Sequence, residues 1–101
     1  MSNVVRTLDY AVQAQIQSLT TSASGSPFVL FTDMNCTVLD IANFTGVTIE
    51  YQRRASGTAF QIANGATRRV VGITNANQIG VRRTDQSVTP VTLQAEALLA
   101  G

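Results

Sequence analysis

The sequence contains no histidine, no tryptophan and a single cysteine, and all seven of its basic residues are arginine. Without histidine or lysine the chain lacks two of the usual general bases, and Cys36 has no imidazole to hold it as a thiolate nucleophile. The six carboxylates are scattered singly, so their spacing indicates neither a glycosidase pair nor a metal cluster. We therefore expect no enzyme activity, no cofactor and no metal site, and we expect Cys36 to be a half-buried thiol in a strand.

Charge is scarce as well. Charged residues make up 13% of the 101 residues, and the net charge of +1 gives no field that would steer nucleic acid or an anionic membrane surface to the chain. No run approaches the roughly 18 apolar residues of a membrane span, and the stretch from Met1 to Leu19 is too polar for a signal peptide. We expect one domain made in a cytoplasm, with no nucleic acid, membrane or small-molecule partner. So few charges suit either an ordinary neutral domain or a protein packed against neighbours.

The first twenty residues fit two structures. Apolar residues recur at helical spacing, yet from Leu8 to Ile16 they also alternate with polar ones as in a half-buried strand. The pattern favours a short helix from about Asp9 to Leu19, with Asp9 as its N-cap. The Ser/Thr-rich stretch from Ser18 to Ser26 is predicted to be a flexible linker. Residues 1–26 would thus form an arm that docks either on its own body or on a neighbouring subunit, through Val5, Leu8, Tyr10, Val12, Ile16 and Leu19.

Short β-type runs follow from Pro27 onward and predict seven strands in residues 27–101. Asn64-Gly65 is the strongest two-residue hairpin signal, and the stretch from Gly72 to Asp85 is predicted to be another hairpin, with its turn at Thr74–Asn77. Turn signals every eight to twelve residues or so indicate an antiparallel β-sandwich or a jelly-roll-like barrel. The predicted strands are Phe28–Thr32, Cys36–Ala42, Val47–Arg54, Thr58–Ala63, Thr67–Ile73, Ile79–Thr84 and Val91–Ala97.

Three pairs of adjacent arginines lie in or at the ends of these strands. Because neighbouring residues of a strand point to opposite faces, each pair places one guanidinium on each face. The pairs could form a basic rim that docks an acidic partner, or they could be neutralised internally by Glu50, Asp85, Asp40 and Glu96; the pattern favours internal pairing. The arginines of the candidate rim are Arg53, Arg54, Arg68, Arg69, Arg82 and Arg83.

The body from about Cys36 to Gln94 resembles small β-sandwich virion proteins of tailed bacteriophages. The residues that carry the resemblance are Val38-Leu39-Asp40-Ile41-Ala42-Asn43-Phe44-Thr45-Gly46, Thr48-Ile49-Glu50-Tyr51, Phe60-Gln61-Ile62, Gly72-Ile73-Thr74-Asn75 and Val81-Arg82-Arg83. The resemblance implies a head cement or decoration protein on the capsid exterior, assembled as a homo-oligomer, often a trimer, and bound to the major capsid protein. It supplies no site residue.

Two other functions stay open. One is a tail, fibre or baseplate subunit, although the chain has no repetitive register of the kind that a fibre shaft needs. The other is a carbohydrate- or peptide-binding sandwich. Sugar sites usually offer a flat aromatic platform, and here Tyr10 and Tyr51 are the only tyrosines and tryptophan is absent.

Overall fold

Eight β-strands carry most of the regular structure in residues 11–54 and 56–100, the part of the chain that the computed structural model describes. A three-residue 3₁₀ helix, Ala76–Gln78, precedes the seventh strand. The strands are β1 (Ala11–Thr20), β2 (Val29–Leu30), β3 (Val38–Ala42), β4 (Ile49–Arg53), β5 (Ala59–Ile62), β6 (Thr67–Val71), β7 (Ile79–Arg83) and β8 (Thr92–Ala100).

The strands form two four-stranded antiparallel sheets. Sheet A has the order β1-β8-β3-β6, and sheet B has the order β2-β7-β4-β5. This strand order is that of a jelly roll. In a jelly roll the chain crosses repeatedly from one facing sheet to the other, and here the first and last of the described strands, β1 and β8, lie side by side. The predicted fold class is confirmed as an all-β sandwich with two separate sheets, and all seven predicted strands are present, several of them shorter than predicted.

The two predicted hairpins are wrong. Asn64-Gly65 does reverse the chain: the Ala66 N–H donates to the Ala63 carbonyl, and Gly65 has a positive φ of 90°. However, the strands on either side of this turn, β5 and β6, lie in different sheets. The same holds for β6 and β7, which the 3₁₀ helix connects. Turn chemistry fixes a local reversal, whereas strand pairing depends on which side chains must be buried.

The predicted helix over Asp9–Leu19 is also wrong for the residues that the structure describes. Residues 11–20 form β1, which is paired with β8 along its length. Leu19 points into the core, whereas Ile16 points away from it and is 60% exposed. The hydrogen-bonding edge of β8 and the burial of Leu19 outweigh the helix propensity of the Ala/Gln-rich sequence. Residues 11–20 therefore dock on the body of their own chain, which is one of the two predicted alternatives.

The stretch after β1 is also held on the body. The Thr21 N–H donates to the Val91 carbonyl at 2.9 Å. Gly25, with a φ of 86°, packs so closely on Gln86 that a Cβ at this position would overlap the Gln86 carbonyl oxygen. Only glycine fits both the space and the backbone conformation here.

The core fills the space between the two sheets with side chains from their facing surfaces. Most of its fully buried members come from β3, β4, β6, β7 and β8, where they alternate with outward-facing residues, and Cys36 and Ala76 add to the core from outside the strands. The four buried polar residues in the described part of the chain, Gln17, Thr21, Asn43 and Glu50, have hydrogen-bonded side chains; the Gln17 amide, for example, exchanges two hydrogen bonds with the Thr32 backbone. The buried hydroxyl of Thr84 is the exception among the described residues, with no hydrogen-bond partner there. The largest apolar side chains that are fully buried in the core are Leu39, Ile41, Ile49, Ile79, Leu93, Val70 and Val81.

Candidate partner-binding surfaces

Three of the six arginines in the candidate rim are neutralised within the subunit. Arg82 Nε donates to Glu50 Oε2 at 2.6 Å, and this pair lies partly buried on the outer face of sheet B. Two other arginines form two hydrogen bonds each with a carboxylate nearer to solvent: Arg69 with Asp40, and Arg83 with Asp85. For these three arginines the prediction of internal pairing is correct.

Arg82 has further contacts that the sequence did not indicate. Its guanidinium donates to the Ser26 carbonyl at 2.8 Å and lies 4.3 Å from the centre of the Phe28 ring. A cation over an aromatic face adds an electrostatic attraction to the packing. Arg82 therefore joins the segment before β2 to the outer face of sheet B.

The ion pairs shift the pKa values of Arg69 and Asp85. Hydrogen bonding to Asp40 raises the pKa of Arg69, with the negative charge of Asp40 adding to it. Hydrogen bonds from Arg83 and then from the Ser87 N–H lower the pKa of Asp85. The sequence predicts Cys36 to be a half-buried thiol in a strand, but it is fully buried and lies in the connection before β3. Its burial raises the pKa of the thiol.

The other three arginines, Arg53, Arg54 and Arg68, have no carboxylate within salt-bridge distance among residues 11–54 and 56–100. Arg53 Nη2 donates to the Val71 carbonyl at 2.7 Å. The Arg68 guanidinium lies over two rings, 5.6 Å from that of Tyr51 and 5.9 Å from that of Phe60. We call these three residues the unpaired arginine surface.

The unpaired arginine surface lies on one side of the sandwich, where edge strands β5 and β6 leave the two sheets open. Arg53 and Arg54 line a cleft of about 360 Å³ together with Gly72, Ile73 and Gln78. Arg68 is nearby, because the Tyr51 ring beneath it belongs to β4, two residues before Arg53. A planar guanidinium with unused donors binds carboxylates through paired hydrogen bonds. The surface can therefore receive acidic side chains.

The six residues predicted to act in the arm have different outcomes. Val5, Leu8 and Tyr10 lie outside the described residues, and Val12 lies within β1. Leu19 is buried in its own core, so it is not available to a partner. Ile16 remains as an exposed apolar side chain on the outer face of sheet A.

Sequence reasoning missed an apolar row beside Ile16. The strand registers align four residues across the outer face of sheet A: Ala14, Leu98, Val38 and Val71. In its own strand each of these residues alternates with inward-facing side chains, so the sequence indicates that it faces outward. The row itself depends on the pairing register, which the sequence does not fix.

Within the described residues, no three His, Cys, Asp or Glu side chains lie close enough to hold a metal ion. The same part of the chain contains no helix long and apolar enough to cross a membrane. Compared with protein-family models and with curated proteins, the sequence matches none. A functional assignment must therefore rest on the fold, the surfaces and the resemblance of the sequence.

Proposed function

We propose that this chain is a structural virion protein of a tailed phage that binds the outer surface of the capsid lattice as a cement or decoration protein. Its partners would be the major capsid protein and further copies of itself. In this role it has no cofactor and no catalytic residue, and its work is to stabilise the head.

The unpaired arginine surface is the observation that carries the proposal. The chain has few charges, and the structure uses three rim arginines to neutralise its own carboxylates. Arg53, Arg54 and Arg68 remain together on one open side. A guanidinium is less strongly hydrated than an ammonium, and suits interfaces with carboxylates. A binding site with acidic residues on the capsid protein would complete this surface.

The fold gives general support. Jelly rolls occur in viral capsid proteins, but also in lectins and cupins, so the architecture alone does not select a function. The phage-like turn and strand pattern in residues 36–94 favours the first of these classes.

The first test is the composition of purified particles. We expect mass spectrometry of phage particles from the host that carries this gene to detect the chain, and cryo-electron microscopy to show a jelly-roll density on the outside of the head. Density on the tail would favour the tail-subunit alternative instead. Absence of the chain from purified particles would overturn both assignments.

The second test asks whether the unpaired arginine surface makes the contact. Replacing both Arg54→Ala and Arg68→Ala should weaken binding to particles that lack the protein by at least about a hundredfold, since hydrogen bonds to charged groups contribute roughly 1.5–3 kcal/mol each. The stability of the chain should fall only modestly, because neither side chain has a carboxylate partner among the described residues and Arg68→Ala loses only its contact with the rings of Tyr51 and Phe60. Val88→Glu is the charge control: it lowers the net charge by about one, half the change that the double variant makes, in an exposed loop at the opposite end of the sandwich. Equal binding by the double variant and the control would contradict the role of the arginines.

One observation favours a carbohydrate-binding module as a second candidate. Phe44 is 74% exposed and borders a cleft of about 330 Å³ with Thr92 and Gln94. An exposed ring beside polar side chains can stack on a sugar. Glycan-array binding that Phe44→Ala abolishes would support this candidate, and the particle tests would then be negative.

A further inference from the structure

Four of the strands in residues 11–54 and 56–100 are edge strands, and three of these are protected against pairing with another chain. β2 has two residues and β5 has four, so each offers a very short ladder. β6 carries Arg68 and Arg69, and its Val71 carbonyl is already taken by Arg53. Short length, charge and covered backbone groups are the usual means by which edge strands avoid association.

The fourth edge, that of β1, is long, and the strand itself carries no charge; beside it lie Thr32, Asp33 and Met34, which line a pocket of about 230 Å³ with residues 15–18. The strand has ten residues, Ala-Val-Gln-Ala-Gln-Ile-Gln-Ser-Leu-Thr, with no charge, no proline and no glycine. The register shift is confined to its start, between Ala11 and Gln13. From Ala14 to Thr20 the edge is regular.

The hydrogen bonds at the end of β1 show which backbone groups face outward. The Thr21 N–H points to β8, where it donates to Val91, whereas the hydroxyls of Thr20 and Thr92 meet at 2.8 Å, as in a non-hydrogen-bonded pair. Antiparallel pairs alternate between these two types. The backbone N–H and C=O groups of the even-numbered residues therefore point to the open edge: Ala14, Ile16, Ser18 and Thr20. Within residues 11–54 and 56–100 no backbone group pairs with them.

We propose that β1 pairs with β1 of a second copy of this chain, antiparallel and about a two-fold axis at Ile16. This register places the outward-facing groups of Ala14 opposite those of Ser18 of the second copy, and forms about six backbone hydrogen bonds in the stretch from Ala14 to Ser18. The two Ile16 side chains, each 60% exposed in the single chain, meet across the axis. The two copies of sheet A become one continuous eight-stranded sheet.

A second copy fits this edge better than another partner for two reasons. A two-fold arrangement is self-complementary, so one strand supplies both sides of the interface. The strand is also uncharged, so pairing it with itself brings no like charges together, which pairing through β6 would do. The unit is a dimer, smaller than the trimer that the sequence resemblance implies. The inference does not depend on the virion role, since a free dimer and a capsid-bound dimer would use the same edge.

Sedimentation velocity of the full chain over a dilution series tests the pairing. We expect a reversible species of twice the chain mass of 10.8 kDa. Ser18→Pro removes a donor from the open edge without removing any hydrogen bond to β8, and proline is tolerated on edge strands. It should weaken the dimer by at least roughly tenfold. A monomer or trimer at all concentrations, or an unchanged dimer in Ser18→Pro, would overturn the proposal.

Disulfide crosslinking supplies a second measurement that does not depend on a destabilising change. A hydrogen-bonded antiparallel pair has Cα atoms about 5.5 Å apart, which suits a disulfide. Ile16→Cys should therefore give a covalent dimer under mild oxidation, while the buried Cys36 stays unreactive. The matched control is Val88→Cys, at another exposed apolar position. Crosslinking of Ile16→Cys no faster than this control would rule out the two-fold axis at Ile16.

Discussion

The pair of Arg82 and Glu50 gives the sharpest test of how charge and burial combine in this sandwich. The Arg82 side chain is 22% exposed and that of Glu50 is 11% exposed, with 2.6 Å between Nε and Oε2. Removing one partner of a buried pair leaves an uncompensated charge, which costs about 3–5 kcal/mol. Because both groups retain some contact with water, we expect Arg82→Ala to lower the free energy of unfolding by about 3 kcal/mol, the lower end of that range.

Thermal and urea unfolding, followed by circular dichroism, would measure this loss. For a domain of this size each 1 kcal/mol lowers the melting temperature by about 4–8 °C, so a fall of roughly 12 °C or more is expected. Chain concentration must be held constant between variants, because self-association contributes to apparent stability. Arg69→Ala is the matched control. Arg69 also has a carboxylate partner, but its side chain is 63% exposed, so its loss should have a clearly smaller effect.

A double variant separates the stranded carboxylate from the other contacts of Arg82. Adding Glu50→Gln to Arg82→Ala removes the unpaired negative charge but leaves the lost contacts with Ser26 and Phe28 unrestored. We expect the double variant to be more stable than Arg82→Ala alone. If it is not, or if Arg69→Ala costs as much as Arg82→Ala, then burial of an unpaired charge is not what makes this pair important.

Two further predictions concern a buried amide and an exposed carboxylate. Asn43 is fully buried, and its Nδ2 donates to the carbonyls of Val47 and Ile62 at 2.8 Å each. Asn43→Ala removes both bonds, although the Val47 carbonyl keeps one from the Thr45 hydroxyl at 3.2 Å, and should cost about 2–4 kcal/mol in urea unfolding; no loss would mean that water replaces the amide. Asp85 has a lowered pKa in the folded chain, so its contribution to stability is complete above its unfolded pKa of about 3.9 and is lost as the pH falls through the folded value. Asp85→Asn should therefore melt below the unmodified chain at pH 7, and the difference should close as the pH falls below about 4; a difference independent of pH would contradict this linkage.

The strands of the body could be predicted because burial on one face leaves a two-residue period in the sequence. In β4, Ile49 and Tyr51 face the core, as the alternation predicts. The sheet to which each strand belongs could not be predicted in the same way. Asn64-Gly65 has the chemistry of a hairpin turn, yet the two strands that it joins, β5 and β6, belong to different sheets.

The first strand shows where local pattern becomes ambiguous. Val12, Ile16 and Leu19 are compatible with a helical stripe, while Ala14 and Ile16 fit an alternating strand. The decision comes from β8, seventy or more residues further along the chain, whose ladder β1 completes. A non-local partner of this kind is invisible to the hydrophobic period of a short window.

The division of the arginines has the same origin. Neighbouring Arg68 and Arg69 are equivalent in the sequence, but Arg69 lies opposite Asp40 on the outer face of sheet A, and Arg68 lies opposite Ile41. The alternation predicts that they point to different faces, and only the register shows that one finds a carboxylate while the other finds aromatic rings. The candidate rim was therefore predictable as a set of six, but not as three paired and three unpaired residues.

The pairing edge of β1 and the unpaired arginine surface lie at opposite edges of sheet A, and this arrangement has a consequence for binding to a lattice. In the order β1-β8-β3-β6, pairing through β1 leaves β6, and with it the unpaired arginine surface, at each far end of the eight-stranded sheet. A paired molecule would thus present two such surfaces that point away from the axis. Once one is bound to a repeating array, the other is held at a high effective concentration near the next site, so the combined affinity can exceed that of a single contact by about 10²–10⁴. Three arginines per subunit would then be enough for firm attachment, although each contact by itself is weak and sensitive to salt.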